Sequence, residues 1–209
     1  MAIIFDFNGT MVFDGDLHDQ AWKSISKEIR KIPLSDEELQ THIHGNVNEK
    51  IIEYLIGNVD PKQSECLSLY KEQLYRTMVE EHKLTLVNGL TKFLNYLKEH
   101  QIPITIASAS IKENIDFFYD YFHLSRWFCK EDIIYDDTTH KNKVSMFLAA
   151  AKKLNTPIDQ CIVFEDSLSG IKYAKEAGIK TIVCVGENNI KDTTMCIQDY
   201  TNTDIYKLI

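Results

Sequence analysis

The sequence is short of chain-breaking residues, with 4 prolines and 8 glycines in 209 positions. That scarcity argues against a turn-dense all-β architecture, in which Gly and Pro signals recur every few residues. Long apolar runs are also missing. The longest, such as the Ile-Ile-Phe at the start, are strand-sized and far below the roughly 18 residues needed to cross a bilayer. Positive charge is in deficit: Lys and Arg total 23 against 31 Asp and Glu, a formal net charge of −8. Nucleic-acid and anionic-membrane binders normally present a basic face, so neither partner is expected. A small anionic substrate stays open, because one local site can oppose the global field. The five cysteines (Cys66, Cys129, Cys161, Cys184 and Cys196) make no CxxC and no paired metal spacing. Their odd count suits mostly buried thiols in a reducing cytoplasm. The N-terminus lacks a basic stretch followed by an apolar one and does not read as a signal peptide.

What remains is ordinary globular composition, 44% hydrophobic and 26% charged. The length allows one sizeable core plus an insertion without disulfide or metal staples. Residues 2–5 are apolar and rich in β-formers, and a polar loop, Asp6-Phe7-Asn8-Gly9-Thr10, follows at once. From residue 17 to about 83 the rhythm is helical. Apolar residues recur at steps of three and four, as in Ala21, Ile25 and Ile29, then Ile51, Ile52 and Leu55, then Leu67, Leu74 and Met78. Ser35 before Asp-Glu-Glu reads as an N-cap with an acidic first turn. Afterwards helices and strands alternate: helices over 89–100, 111–121, 144–154 and 169–177, strands over 102–107, near 133, 161–164 and 181–185. Alternation of this kind predicts a parallel sheet covered on both faces. The expectation is an α/β three-layer Rossmann-like core from residues 1–14 and 86–209. A helical cap domain, residues 15–85, is inserted after the first strand.

Chemistry on parallel sheets gathers beyond the carboxyl ends of the strands. The first strand is followed by Asp6, the 102–107 strand by Ser108-Ala109-Ser110, and the 161–164 strand by Glu165-Asp166-Ser167. Lys141 precedes a helix in a loop able to reach the same rim. Clustered carboxylates repel and are costly to desolvate unless something positive neutralises them. Mg²⁺ suits such a set, since it takes one or two carboxylates and completes its shell with water and phosphate oxygens. Asp6 would then be placed for in-line attack on phosphorus.

On these residues the chain resembles the haloacid dehalogenase superfamily, in the branch with a helical cap that includes β-phosphoglucomutase and sugar-phosphate phosphatases. Four stretches carry the likeness: DFNGT, ITIASAS, the lysine of HKNKVSMFLAAAKKLN, and IVFEDSLSGIKYAKEAG. In the cap, DLHDQAW and HGNVNEKIIEYL resemble segments that face substrate. The resemblance implies a Mg²⁺-dependent phosphoryl-transfer enzyme. Asp6 would be nucleophile and metal ligand, and Asn8 would offer its backbone carbonyl to the ion. Ser108 with nearby Ala109 and Ser110 would bind the phosphoryl group. Lys141 would neutralise phosphate and nucleophile, with Lys143 as runner-up because the usual Lys-Pro is replaced by Lys141-Asn142. Glu165 and Asp166 would hold the metal, Asp166 more directly. Gly9, Thr10, His18, Gly45 and Asn46 would shape or contact the substrate site. The partner implied is a small phosphorylated metabolite, and the chain is expected as a monomer or weak dimer. Cap closure would exclude water and bring specificity residues to the rim.

One position departs from the pattern. Where the family has a second aspartate that exchanges a proton with the leaving oxygen, this chain has Asn8. An amide keeps the shape but cannot relay that proton, and losing a general acid lowers rate by about 10²–10⁴. Four readings stay open: an engineered trap, a natural enzyme in which another group such as His18 takes over, a substrate whose leaving group needs no acid, or a phosphometabolite-binding protein. The retention of Ser108, Lys141, Glu165 and Asp166 favours a natural, weak or unusual phosphatase over a phosphomutase or a sensor that docks a partner through its cap.

Overall fold

The structure is a computed structural model that describes residues 1–44, 46–187 and 190–209. Strand β1 (Ala2–Phe5) leads into four helices: α1 (Gly15–Arg30), a short α2 (Asp36–Glu38) continued by a π-turn over Leu39–Ile43, α3 (Asn48–Ile56) and α4 (Pro61–Glu81). Then come α5 (Leu90–Glu99), β2 (Ile104–Ile111), α6 (Lys112–Tyr121), β3 (Ile134–Asp136) and α7 (Lys143–Lys153). The chain continues through β4 (Cys161–Glu165), α8 (Leu168–Ala177), β5 (Thr181–Val185) and β6 (Met195–Ile197). Two compact units result: Met1–Phe13 with Thr85–Ile209, and Asp14–Leu84. No helix among the described residues is long and apolar enough to cross a membrane.

The first unit is a Rossmann-like α/β fold. Its six strands pair in parallel in the order β3-β2-β1-β4-β5-β6. Both faces of the sheet are apolar because both are covered. Ala2 and Ile4 join Ala107, Val163, Ile182 and Cys184 in a core shared with Phe147 and Ala150 of α7 and Ile171 and Ala174 of α8. Phe5, of opposite parity, turns to the other face. Its ring stacks 5.1 Å from Phe164 and meets Phe93 and Phe128 edge-on at 6.3 and 6.2 Å. Tyr200, 5.5 Å from Phe164, completes that cluster. Aromatic pairs of this geometry add about 0.5–1.5 kcal/mol to what burial contributes.

Strand β2 departs from the sequence expectation. It starts after Pro103, which has no N–H for a ladder, and runs on to Ile111 with a register irregularity between Ala107 and Ile111. Ser108, Ala109 and Ser110 therefore lie inside the strand instead of beyond its end. Edge strand β6 was not expected, since three residues are too few to show a period.

In the second unit, Trp22 and Ile25 of α1, Leu34, Leu39, Ile43, and Ile51, Ile52 and Leu55 of α3 form a core, with Leu67 and Leu74 of α4 packed against it. Ser35 makes a capping box: its hydroxyl accepts from Glu38 N–H at 3.2 Å, and the Glu38 carboxylate accepts from Ser35 N–H at 2.8 Å. Lys71 sits on the apolar stripe of α4 and is buried with Glu72. Its Nζ lies 2.9 Å from Glu72 Oε1 and 2.8 Å from His18 Nδ1. Burial pulls the Lys71 pKa down, against the pull of Glu72 and Asp14. A buried pair of this kind costs desolvation. The cost is offset by Asn48, which donates to Glu72 at 2.9 Å, and by the Trp22 and Tyr75 rings about 5.5 and 5.4 Å from the ammonium.

Phe93→Ala should destabilise the protein by about 3–5 kcal/mol, read as a lower urea midpoint at unchanged slope. Ser35→Ala, at an exposed cap, should cost only about 1 kcal/mol. Equal losses from the two would show that the aromatic cluster does not anchor the sheet.

Candidate active site

The site grows from strand parity. Asp6 follows β1 on the side of Ala2 and Ile4, toward α7 and α8. Glu165 ends β4 on the side of Cys161 and Val163, toward the same helices. β1 and β4 are neighbours, and the strand order reverses between them. This is the topological switch point, where crossovers leave to either side and open a crevice at the carboxyl ends.

The ammonium in that crevice belongs to Lys143, which corrects the assignment to Lys141. Asn142 is fully extended (φ −169°, ψ 178°), and its side chain accepts from Ser145 N–H at 3.2 Å, so α7 begins at Lys143. That start aims Lys143 at the sheet: Nζ donates to Asp6 Oδ1 at 2.6 Å and also to Glu165 Oε1. Lys141 is left exposed in the preceding loop.

Two glycines make room for the acids. A methyl group at Gly170, in the first turn of α8, would lie 1.7 Å from Glu165 Oε1. One at Gly9, where φ is +76°, would lie 2.2 Å from Asp166 Oδ2. The wholly buried Glu165 also accepts from Ser167 N–H at 2.7 Å and Ser167 Oγ at 3.0 Å. The Thr10 hydroxyl lies between two acids, 3.3 Å from Asp6 Oδ2 and 3.4 Å from Asp166 Oδ1. Tyr200 steadies that loop by donating to Thr10 C=O at 3.2 Å. Beside them, Ser110 Oγ donates to Asn8 Oδ1 at 2.6 Å, and buried Ser108 Oγ accepts from Ser110 N–H at 3.2 Å.

The structure thus brings together Asp6, Asn8, Gly9, Thr10, Ser108, Ser110, Glu165 and Asp166. Ala109 is exposed on β2. His18 lies in the second unit, stacked on Tyr75 with ring centroids 3.9 Å apart and its Nε2 3.5 Å from Asp14. Asn46, in the same unit, is exposed and donates to His42 C=O at 3.2 Å. Gly45 falls outside the described residues. Two contributors to this site escaped the sequence reading, Tyr200 and Gly170, and so did the buried Lys71 beside His18 within the second unit. Lys71 left a signal, a lysine spaced four after Leu67 and three before Leu74 on an apolar stripe. Gly170 lies within the quoted EDSLSG segment, five residues after Glu165. Tyr200 left none.

One oxygen from each of Asp6, Glu165 and Asp166 can be chosen so that all three lie within 4.8 Å of one another. Burial is the main force raising the Asp6 and Asp166 pKa values. Repulsion from Glu165 adds to both, and repulsion from Asp6 adds to Asp166, while Lys143 opposes these effects. The Lys143 pKa, despite burial, is raised by Asp6 and Glu165. Three carboxylates facing one ammonium leave negative charge uncompensated among hard oxygen donors. A hard divalent cation fits that set, and the superfamily typically uses Mg²⁺.

Residues 1–178 match the family described as haloacid dehalogenase-like hydrolase. The chain belongs to that family. A HAD hydrolase, family IA, variant 3, from Entamoeba histolytica HM-1:IMSS superposes with a TM-score of 0.92 at 34% identity, covering 99% of this chain and 96% of that one. The chloroplastic 5-amino-6-(5-phospho-D-ribitylamino)uracil phosphatase of Arabidopsis thaliana is 25% identical over 91% of this chain and 51% of its own length. The β-phosphoglucomutase of Bacillus subtilis (strain 168) is 29% identical over 85% of this chain and 80% of its own. The chain therefore spans about half of the plant relative and most of the bacterial one. Its relatives are β-phosphoglucomutase-like phosphatases and mutases of the haloacid dehalogenase type.

The metal-free fold should bind more protons at Asp6 and Asp166 than the unfolded chain does, because both folded pKa values are raised. The contribution of these two acids to stability should therefore fall as pH rises from the ordinary carboxylate value of 3.8 toward about 8, the raised value at Asp166. Mg²⁺ needs the ionised forms. About 10 mM Mg²⁺ at pH 8 should raise the thermal midpoint by roughly 5 °C, and by less than half of that at pH 5. Asp166→Asn should remove the increment. An increment independent of pH would separate the ion from these acids.

Proposed function

We propose that this protein is a Mg²⁺-dependent phosphatase of a small phosphorylated metabolite, of the sugar-phosphate kind, that works through a phosphoryl group carried transiently on Asp6. The observation supporting this most directly is the Asp6 carboxylate, held at 2.6 Å by the Lys143 ammonium beside Glu165 and Asp166 at the switch point. A carboxylate nucleophile must stay ionised while an anionic phosphoryl group approaches, and a fixed ammonium meets both needs. In the first step an Asp6 oxygen attacks phosphorus in line, forming a C–O–P linkage as the bond to the leaving oxygen breaks. In the second, water attacks the same phosphorus, and the Asp6 carboxylate departs with inorganic phosphate formed. Ser108 and the surrounding backbone N–H groups would hold the phosphoryl oxygens. Asp6, Asp166 and Glu165, with the Asn8 carbonyl, would hold Mg²⁺, which supplies positive charge to offset the phosphoryl oxygens when bound.

Asn8 sets the limits of this chemistry. With its side-chain oxygen engaged by Ser110, the amide can offer N–H hydrogen bonds but cannot give up or take a proton at neutral pH. Substrates whose leaving oxygen must be protonated, such as alkyl phosphates, should turn over slowly. Acyl and aryl phosphates, whose leaving groups are stable anions, should be far less affected. A phosphomutase reading is disfavoured by the same residue, because mutase chemistry needs proton exchange in both half-reactions.

Phosphate release from a hexose phosphate, p-nitrophenyl phosphate and acetyl phosphate, with Mg²⁺, tests the reading. Asp6→Ala should abolish it. Lys143→Met should lower it by about 10²–10³, and Lys141→Met should leave it unchanged. Asn8→Asp should raise hexose-phosphate turnover by about 10² and acetyl-phosphate turnover far less. Equal rates in the unaltered protein, Asn8→Asp and Asp6→Ala would remove the enzyme hypothesis.

A further inference from the structure

Beside the acidic cluster, two cysteines sit side by side on the last two strands of the sheet. Cys184 on β5 and Cys196 on β6 are register partners in a parallel pair. Neighbouring strands lie about 4.8 Å apart, and registered residues point to the same face. Their Cα spacing therefore falls within the roughly 4.4–6.8 Å that a disulfide spans. Cys184 is buried in the core under α7 and α8, and half-buried Cys196 packs against that core from the edge strand. The Cys196 sulfur lies 3.3 Å from Thr193 Oγ1 and 3.6 Å from Ile190 C=O.

We propose that Cys184 and Cys196 form a reversible oxidation site, in which a hydroperoxide converts the paired thiols to a disulfide that ties edge strand β6 to β5. The Cys196 sulfur, on the half-buried edge strand, attacks the terminal oxygen of the hydroperoxide. The O–O bond breaks, an alcohol or water leaves, and Cys196 becomes a sulfenic acid. The Cys184 sulfur then attacks the Cys196 sulfur, and the hydroxyl leaves with the Cys184 proton as water. Two thiols and one hydroperoxide thus give one disulfide, one alcohol or water, and one further water; a thiol reductant restores both cysteines by exchange. The position links this site to the fold of the acidic cluster. Cys184 is also the register partner of Glu165 on β4, and β6 leads to Tyr200, which donates to Thr10 C=O. The other described thiols lack this arrangement: Cys66 and Cys129 are exposed, and Cys161 pairs in register with Ala2.

The test uses the whole chain carrying Cys66→Ser and Cys129→Ser, which removes the exposed thiols able to link two copies. After treatment with one equivalent of hydrogen peroxide, intact mass should fall by about 2 Da. Proteolysis under non-reducing conditions should yield one linked peptide pair containing residues 184 and 196, and dithiothreitol should restore the mass. Adding Cys196→Ser, or separately the small core replacement Cys184→Ala, should abolish the loss. Survival of both thiols, labelled by iodoacetamide after unfolding, would overturn the proposal. So would a gain of about 16 or 32 Da with no linked pair, or a link that involves Cys161.

Discussion

The ion pair from Lys143 to Asp6 and Glu165 is the contact on which the site depends. Two buried carboxylates at adjacent strand ends would repel each other and resist ionisation. A single ammonium at the first position of α7 answers both, which is why the placement of that helix start matters more than the number of lysines nearby. The arrangement is only partly compensated, since Asp166 adds a third carboxyl whose ionisation burial opposes. Incomplete neutralisation of this sort suits a cation, which in the proposed reaction would offset the charge of an anionic substrate.

Room is the second constraint. Glu165 and Asp166 occupy space that any side chain at Gly170 or Gly9 would fill. Ser167, between acid and helix, uses its backbone and hydroxyl to hold Glu165 while also capping α8. A short peptide segment therefore does three jobs: it ends β4, orients an acid and starts a helix. On the other face of the sheet the aromatic cluster of Phe5, Phe93, Phe164 and Tyr200 supports the same strand ends, and the Tyr200 hydroxyl reaches through to the Thr10 carbonyl. Packing and chemistry meet at that bond.

Asn8 bears on function without disturbing this frame. Its carboxamide is isosteric with a carboxylate and engages Ser110, so the loop keeps its shape while one proton-transfer group is absent. In the proposed reaction, binding of a phosphoryl group and attack by Asp6 would draw on other residues, so Asn8 would act on the choice of leaving group more than on whether the site forms.

Much of the α/β core could be read from local pattern. Apolar runs ending in acidic or hydroxyl residues mark β1 and β4, and in the second unit the four-residue spacing of Ala21, Ile25 and Ile29 marks α1, because burial on one face imposes a period that a linear sequence records. The Asp-x-Asn-Gly-Thr and Glu-Asp-Ser segments likewise stand out by composition. What the chain alone could not decide was set by three-dimensional proximity. Lys141 and Lys143 are two residues apart and equivalent as letters, and only the extended Asn142 cap, which sets where α7 begins, turns Lys143 toward the sheet. The same holds for Ser108–Ser110, drawn into β2 by pairing with β3, and for Tyr200, whose partner lies 190 positions earlier. Periodicity reports which side of an element is buried; which atoms meet there depends on register and on the exact turn at which each helix starts.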